Sequence, residues 1–184
     1  MNSMRFEQLV AGFSHLLDEG VGERTLLEEG AVLLRDVIAV DDWLPDACSV
    51  PHPQYYQQYL LYLDPAERFS VVSFVWGPGQ TTPVHDHTVW ALIGMLRGAE
   101  VGERFAVPEQ GQAMRSLGTE ILHPGDIEVL SPATGDIHRV SNYYNDQVSI
   151  SIHIYGADIG KVQRYVYNDQ DGSRRAFVSG YANR

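Results

Sequence analysis

The segment Thr82 to Trp90, TPVHDHTVW, carries two histidines two residues apart. On an extended chain successive side chains alternate, so the rings of His85 and His87 share one face while Asp86 takes the other. Two imidazoles so placed can meet one metal ion, or they can be two polar groups on a wet strand face. A third histidine, His138, lies in GDIHRVSN. A second run, QVSISIHIYG, sorts by the same alternation: Val148, Ile150, Ile152 and Ile154 on one face, Ser149, Ser151, His153 and Tyr155 on the other. If that polar face turns inward, its Ser, His and Tyr must find partners. If it turns outward, it is the ordinary solvent face of an antiparallel sheet.

The elements that would position these residues can be read from periodicity. Phe6, Leu9, Val10, Phe13, Leu16 and Leu17 recur at helical spacing, and Gly20 and Gly22 end that helix. TLLE at Thr25 to Glu28 has the capping-box pattern, opening a second helix through Leu26, Leu27, Leu33, Leu34, Val37 and Ile38. A loop with three prolines follows. From Tyr55 onward come about eight short β-rich runs broken by GPGQ, HPGD, SPATGD and NYYND, with no helices between them. This texture predicts a mainly β antiparallel barrel or jelly roll with a helical N-terminal cap. The cap spans residues 1–50, the barrel 51–168, and a polar, irregular tail 169–184, all in one domain.

Composition narrows the function classes. The chain has 184 residues, 44% hydrophobic and 20% charged, with a net charge of −11. Such an acidic balance disfavours nucleic-acid and anionic-membrane partners, which select basic surface. No apolar run approaches membrane-spanning length, and the N-terminal segment does not read as a signal peptide. Cys48 is the one cysteine, so intramolecular disulfides and Cys-based zinc sites are excluded, and a cytoplasmic location is expected.

Two longer patterns carry a resemblance. GQTTPVHDHTVWALIGMLRG places Gly79, His85, His87 and Gly98 as in the first cupin motif, with Ala91 where that motif has Glu. GDIEVLSPATGDIHRVSN places Gly135, His138 and Asn142 as in the second, with one extra residue on each side of Pro132. Three His without the Glu, together with Ser151-x-His153-x-Tyr155, resemble the cysteine dioxygenase type I family of cupin thiol dioxygenases. The resemblance covers roughly Tyr55 to Asn168. It implies a double-stranded β-helix holding Fe(2+) on His85, His87 and His138, with Tyr155, His153 and Ser151 as a hydrogen-bonded relay. It also implies a small thiol and O2 as substrates and a sulfinic acid as product.

The donor set agrees with that chemistry. Three neutral imidazoles leave a divalent ion its full charge and open positions, which favours an anionic thiolate as a further ligand. Zinc, manganese and nickel suit three histidines as well. In the family's mammalian-type members an early-strand Arg binds the substrate carboxylate and a Cys crosslinks the active-site Tyr. Here the first position is filled by Gln57 or Gln58, with Gln58 selected when Tyr56 is aligned with the family's strand Tyr, and the second falls at or beside Ala91. The pattern is similar to a Gln-type bacterial branch that favours 3-mercaptopropionate, in which a late-strand Arg binds the carboxylate, and Arg164 matches it. An Arg fork suits a carboxylate geometrically, although an Arg on a strand is more commonly a surface charge. Cysteine as substrate and a non-catalytic metal-binding cupin are the alternatives. His15, His52 and His123 read as surface or structural residues, DQDG as a turn, and Cys48 and the oligomeric state are left without a role.

Overall fold

A computed structural model describes residues 4–109 and 111–184. Two helices, α1 (Met4–Asp18) and α2 (Glu23–Ile38), precede a 3-10 turn at Asp46–Cys48. Eleven strands follow: β1 (Gln57–Leu63), β2 (Ser70–Trp76), β3 (Val84–His85), β4 (Ala91–Arg97), β5 (Glu100–Phe105), β6 (Ser116–Leu122), β7 (Ile127–Leu130), β8 (His138–Asn142), β9 (Ser149–Tyr155), β10 (Arg164–Tyr167) and β11 (Arg174–Phe177). They form two antiparallel sheets, ordered β1-β2-β9-β4-β7 and β11-β10-β3-β8-β5-β6. The architecture is the expected mainly β cupin with an α-helical N-terminal cap.

The five-stranded sheet is buried on both faces. Leu9, Phe13, Leu34 and Ile38 of the helices pack with Val71, Val75, Leu92, Ile150, Ile152 and Ile154 on its outer face. Val72, Phe74, Trp76, Ala91, Ile93, Met95 and Tyr155 line its inner face, toward the second sheet. Small residues allow this close approach. A Cβ on Gly94 of β4 would stand 2.9 Å from Leu34 Cγ, and one on Gly30 of α2 would stand 2.5 Å from Phe13 Cζ. With the helices taking the isoleucine face of β9, the Ser/His/Tyr face has no route to solvent, and all seven residues of β9 are buried. Alternation assigns residues to faces, but the helices decide which face points into the barrel.

Three local expectations change. The capping-box pattern places the start of α2 at Thr25, whereas the helix begins at Glu23 with Gly22 as N-cap and no side-chain cap. Glu28 pairs with Arg24, and Glu23 accepts the Ser131 hydroxyl, which ties the first turn to the end of β7. The run VHDHTVWALIGMLRG is not one strand. It breaks after His85, because one Asp136 carboxylate oxygen accepts the amides of His87 and Thr88, each at 3.0 Å, and Thr88 takes φ 58°. A β-branched residue in that left-handed region needs such outside support.

The third change concerns the tail, which is ordered rather than irregular. β11 pairs with β10, Ala182 donates its amide to the Gln58 carbonyl, and Asn183 bonds both backbone groups of Leu60. DQDG forms the turn between β10 and β11, as its composition predicts. Among the described residues no helix is long and apolar enough to cross a membrane.

Candidate metal centre

His85 and His138 are direct cross-strand partners on β3 and β8. His87, two residues beyond the end of β3, completes a triangle of rings with centroid separations of 5.0, 4.9 and 4.8 Å. One ligand atom of each ring lies within 4.8 Å of the other two, and all three residues are buried. The Nδ1 atoms are turned outward. That of His85 meets the Pro83 carbonyl at 3.0 Å, and that of His87 meets the Asp136 carbonyl at 3.1 Å. His138 Nδ1 stands 3.7 Å from a Glu128 carboxylate oxygen, with no hydrogen bond made. Each outer contact fixes a ring and leaves Nε2 facing the centre. Burial and the repulsion of neighbouring rings hold the pKa of His85 and His87 well below the ordinary value, so their lone pairs are free of protons. Convergent nitrogen donors of this kind fit a divalent transition metal. Asp86, on the opposite face as alternation requires, accepts the Tyr165 amide and the Tyr167 hydroxyl.

The inner face of β9 supplies a polar chain. Ser151 Oγ lies 2.8 Å from His153 Nε2, and His153 Nδ1 lies 2.8 Å from the Tyr155 hydroxyl. Phe74 stacks on His153 at 4.1 Å, and the Trp76 indole donates to Ser151 Oγ at 3.3 Å. The Tyr155 ring stacks on His87 at 5.7 Å, which brings the chain against the histidine triangle. Burial keeps His153 neutral and raises the Tyr155 phenol far above its ordinary value.

Arg164 opens β10, the neighbour of β3. Val166 is the cross-strand partner of His85, so Arg164, two residues earlier, lies on the same face as that histidine. The guanidinium is 3% exposed, sits 4.7 Å over the Phe177 ring, and donates to Ser179 Oγ at 2.6 Å. Its Nε has no partner, and among the described residues no carboxylate forms a salt bridge with it. Burial lowers its pKa, while the hydroxyls of Tyr155 and Tyr56 offset part of that cost. Gln58 is buried too, but its amide donates to Ser179 Oγ (3.0 Å) and the Gly180 carbonyl (2.7 Å), so it reaches Arg164 through Ser179. Cys48 packs with the helix-side core, across the sheet from the histidines.

Several residues of this centre were not singled out from sequence: Asp136, Glu128, Phe177 and Ser179. Asp136 stands two residues before His138 and could have been suspected. The tail residues carried no signal, because their role depends on where the chain end folds back.

A mainly β cupin fold with three buried histidines beside a Ser-His-Tyr chain defines a candidate metal centre. The chain belongs to the cysteine dioxygenase type I family, whose model matches residues 56–168. It is 28% identical to cysteine dioxygenase type 1 of Bos taurus over 90 residues, covering 48% of this chain and 44% of that protein. The Homo sapiens enzyme is 27% identical over 90 residues with the same coverage. The chain thus matches less than half the length of these relatives. Among solved structures, a cupin superfamily protein from Desulfitobacterium hafniense aligns with TM-score 0.46 at 16% identity, covering 64% of this chain and 93% of that one.

Proposed function

We propose that this protein is an iron(II)-dependent thiol dioxygenase that converts a small carboxylate-bearing thiol, 3-mercaptopropionate above others, and O2 to the sulfinic acid. The observation that carries the reading is Arg164, a buried guanidinium with an unpartnered Nε on the same sheet face as His85. A buried cation without an anion is costly, and a substrate carboxylate would relieve that cost. His85, His87 and His138 would hold the ion, which would supply the charge that favours a thiolate and a one-electron couple for activating O2, the four electrons that reduce O2 coming from sulfur.

The chain's own residues would do the rest. Arg164 anchors the carboxylate and fixes how far the sulfur reaches. Tyr155, oriented by His153 and Ser151, presents its hydroxyl beside the His87 ring. Phe74 and Trp76 wall this region against water. The overall reaction, RSH + O2 → RSO2H, places both oxygen atoms on sulfur. A cytoplasmic location is part of the proposal and rests on the single cysteine.

A second reading, cysteine as substrate, is favoured by the named activity of the relatives. Steady-state sulfinate formation from both thiols by the iron-loaded protein separates the two, with a higher kcat/KM for 3-mercaptopropionate expected. Preference for cysteine would overturn the substrate choice. Absence of thiol-dependent oxygen uptake would overturn the enzyme reading in favour of a binding module.

A further inference from the structure

The polar chain on β9 does not stop at Ser151. Glu100, at the start of β5, is 2% exposed and faces the Ser151 hydroxyl and the Trp76 indole. Its Oε1 has no hydrogen-bond partner. An ionised carboxylate with an unused acceptor in such a setting is costly, whereas the neutral acid can donate one bond and leave less charge unsolvated. Glu128 on β7 adds like-charge repulsion, while Arg104 and His138 face Glu128 rather than Glu100. Tyr155 lies within reach of its charge. Burial foremost, with Glu128 adding to it, raises the Glu100 pKa to about 8, against the nearby Ser151 hydroxyl and Trp76 indole, which favour the charged form.

We propose that Glu100 is the fourth member of the Ser151–His153–Tyr155 chain and that its proton sets which way the Tyr155 hydroxyl points. The inference builds on the reading of Tyr155 as a group that faces bound thiol. With Glu100 neutral, it donates to Ser151 Oγ, Ser151 donates to His153 Nε2, and His153 Nδ1–H donates to the Tyr155 oxygen. The phenolic hydrogen is then free for the pocket. With Glu100 ionised, every bond reverses. Ser151 donates to Glu100, His153 Nε2–H donates to Ser151, and Tyr155 donates to His153 Nδ1 and offers the pocket a lone pair. Trp76 can donate to Ser151 Oγ in both states.

The states interconvert by moving each hydrogen one partner along. Glu100 gives its proton to Ser151, Ser151 gives its own to His153 Nε2, His153 Nδ1 gives to Tyr155, and Tyr155 gives to an acceptor in the pocket. One proton leaves Glu100, one arrives in the pocket, and no electron moves. Run backwards, the chain stores on Glu100 the proton that a thiol loses on becoming a thiolate.

The metal-free protein with 15N-labelled histidine tests this directly. The His153 hydrogen should shift from Nδ1 to Nε2 with a midpoint near pH 8, together with loss of the infrared band of a protonated carboxyl. In Glu100→Gln both transitions should vanish and His153 should stay in the Nδ1–H form, because the amide donates to Ser151 at every pH. In metal-loaded protein the alkaline limb of kcat should disappear in Glu100→Gln, while Glu100→Leu should lower kcat at every pH. A His153 tautomer that is constant through this range, or that shifts with the same midpoint in Glu100→Gln, overturns the proposal. Coupled transitions in a protein that consumes no thiol would uphold the four-membered chain and overturn the dioxygenase reading. Thiol oxidation with a fixed tautomer would do the reverse.

Discussion

Ala91 is the direct cross-strand partner of Tyr155, and both side chains pack in the cluster inside the barrel. Directly opposed residues on antiparallel strands bring their Cβ atoms within roughly 5 Å. The crosslinking Cys position that the resemblance places at or beside Ala91 would therefore lie near the tyrosine, and no Cys stands there. Wild-type protein should run as one species after turnover with thiol and O2. Ala91→Cys should gain a second species lighter by two hydrogens in intact mass. A variant that stays homogeneous after prolonged turnover would show that the register alone does not bring sulfur and ring together.

The three histidines should act as a unit toward a metal. His138→Ala should reduce bound iron below a tenth of the wild-type content, measured by elemental analysis after reconstitution. Glu128 faces the outer nitrogen of His138, Nδ1, at 3.7 Å. Glu128→Gln should weaken metal affinity by about 10-fold, the lower end of what such outer contacts contribute. Chelator competition reads both effects, and full occupancy in the His138 variant would remove that residue from the ligand set.

Arg164 links binding to stability with opposite signs. With Arg164 as the proposed carboxylate anchor, Arg164→Met should raise KM for 3-mercaptopropionate about 10- to 100-fold. A thiol without a carboxylate should be little affected. Because the guanidinium is buried without an anion, the variant should melt no lower than wild type in the absence of substrate. An unchanged KM would move carboxylate binding elsewhere, with Gln58 the next candidate.

Glu100 gives the stability a pH dependence whose sign is fixed. Its pKa is about 8 in the folded protein against an ordinary 4.5. Between these values the unfolded chain has released the proton and the folded chain has kept it, so stability falls as pH rises through that window. Below it, both states are protonated and the effect vanishes. Above it, the penalty is constant. The difference in unfolding free energy between Glu100→Gln and wild type should therefore grow from pH 4.5 to 8, by at most about 1.4 kcal/mol per pH unit. Denaturant titrations at several pH values measure it, and a flat difference would mean that Glu100 titrates normally.

Much of this centre could be read before the fold was known. Cupin spacing picked out His85, His87 and His138, and alternation on β9 put Ser151, His153 and Tyr155 together. The reason given for pairing His85 with His87 was incomplete, since His87 lies beyond β3 and owes its orientation to Asp136. The loop Asp136–Ile137 comes from a distant part of the chain, and a local pattern cannot report such a contact. Gln58 illustrates the same limit. Its position in β1 was legible, but its amide is taken up by Ser179 and Gly180, more than a hundred residues away.

By itself the sequence determined the elements, the faces and the donor atoms, because hydrophobic period, turn chemistry and residue type are local properties. It determined that a metal in this chain could not be held by a Cys-based site, because Cys48 is the one cysteine. The tertiary structure decided which face of β9 is inside, because that depends on α1 and α2 covering the isoleucines. It also decided that Arg164 is a buried cation rather than a surface charge, and that Glu100 of β5 is buried with an unpartnered carboxylate oxygen. Burial and long-range pairing are properties of the packed whole. They bury Arg164 and Glu100 and bring Ser179 against the Arg164 guanidinium.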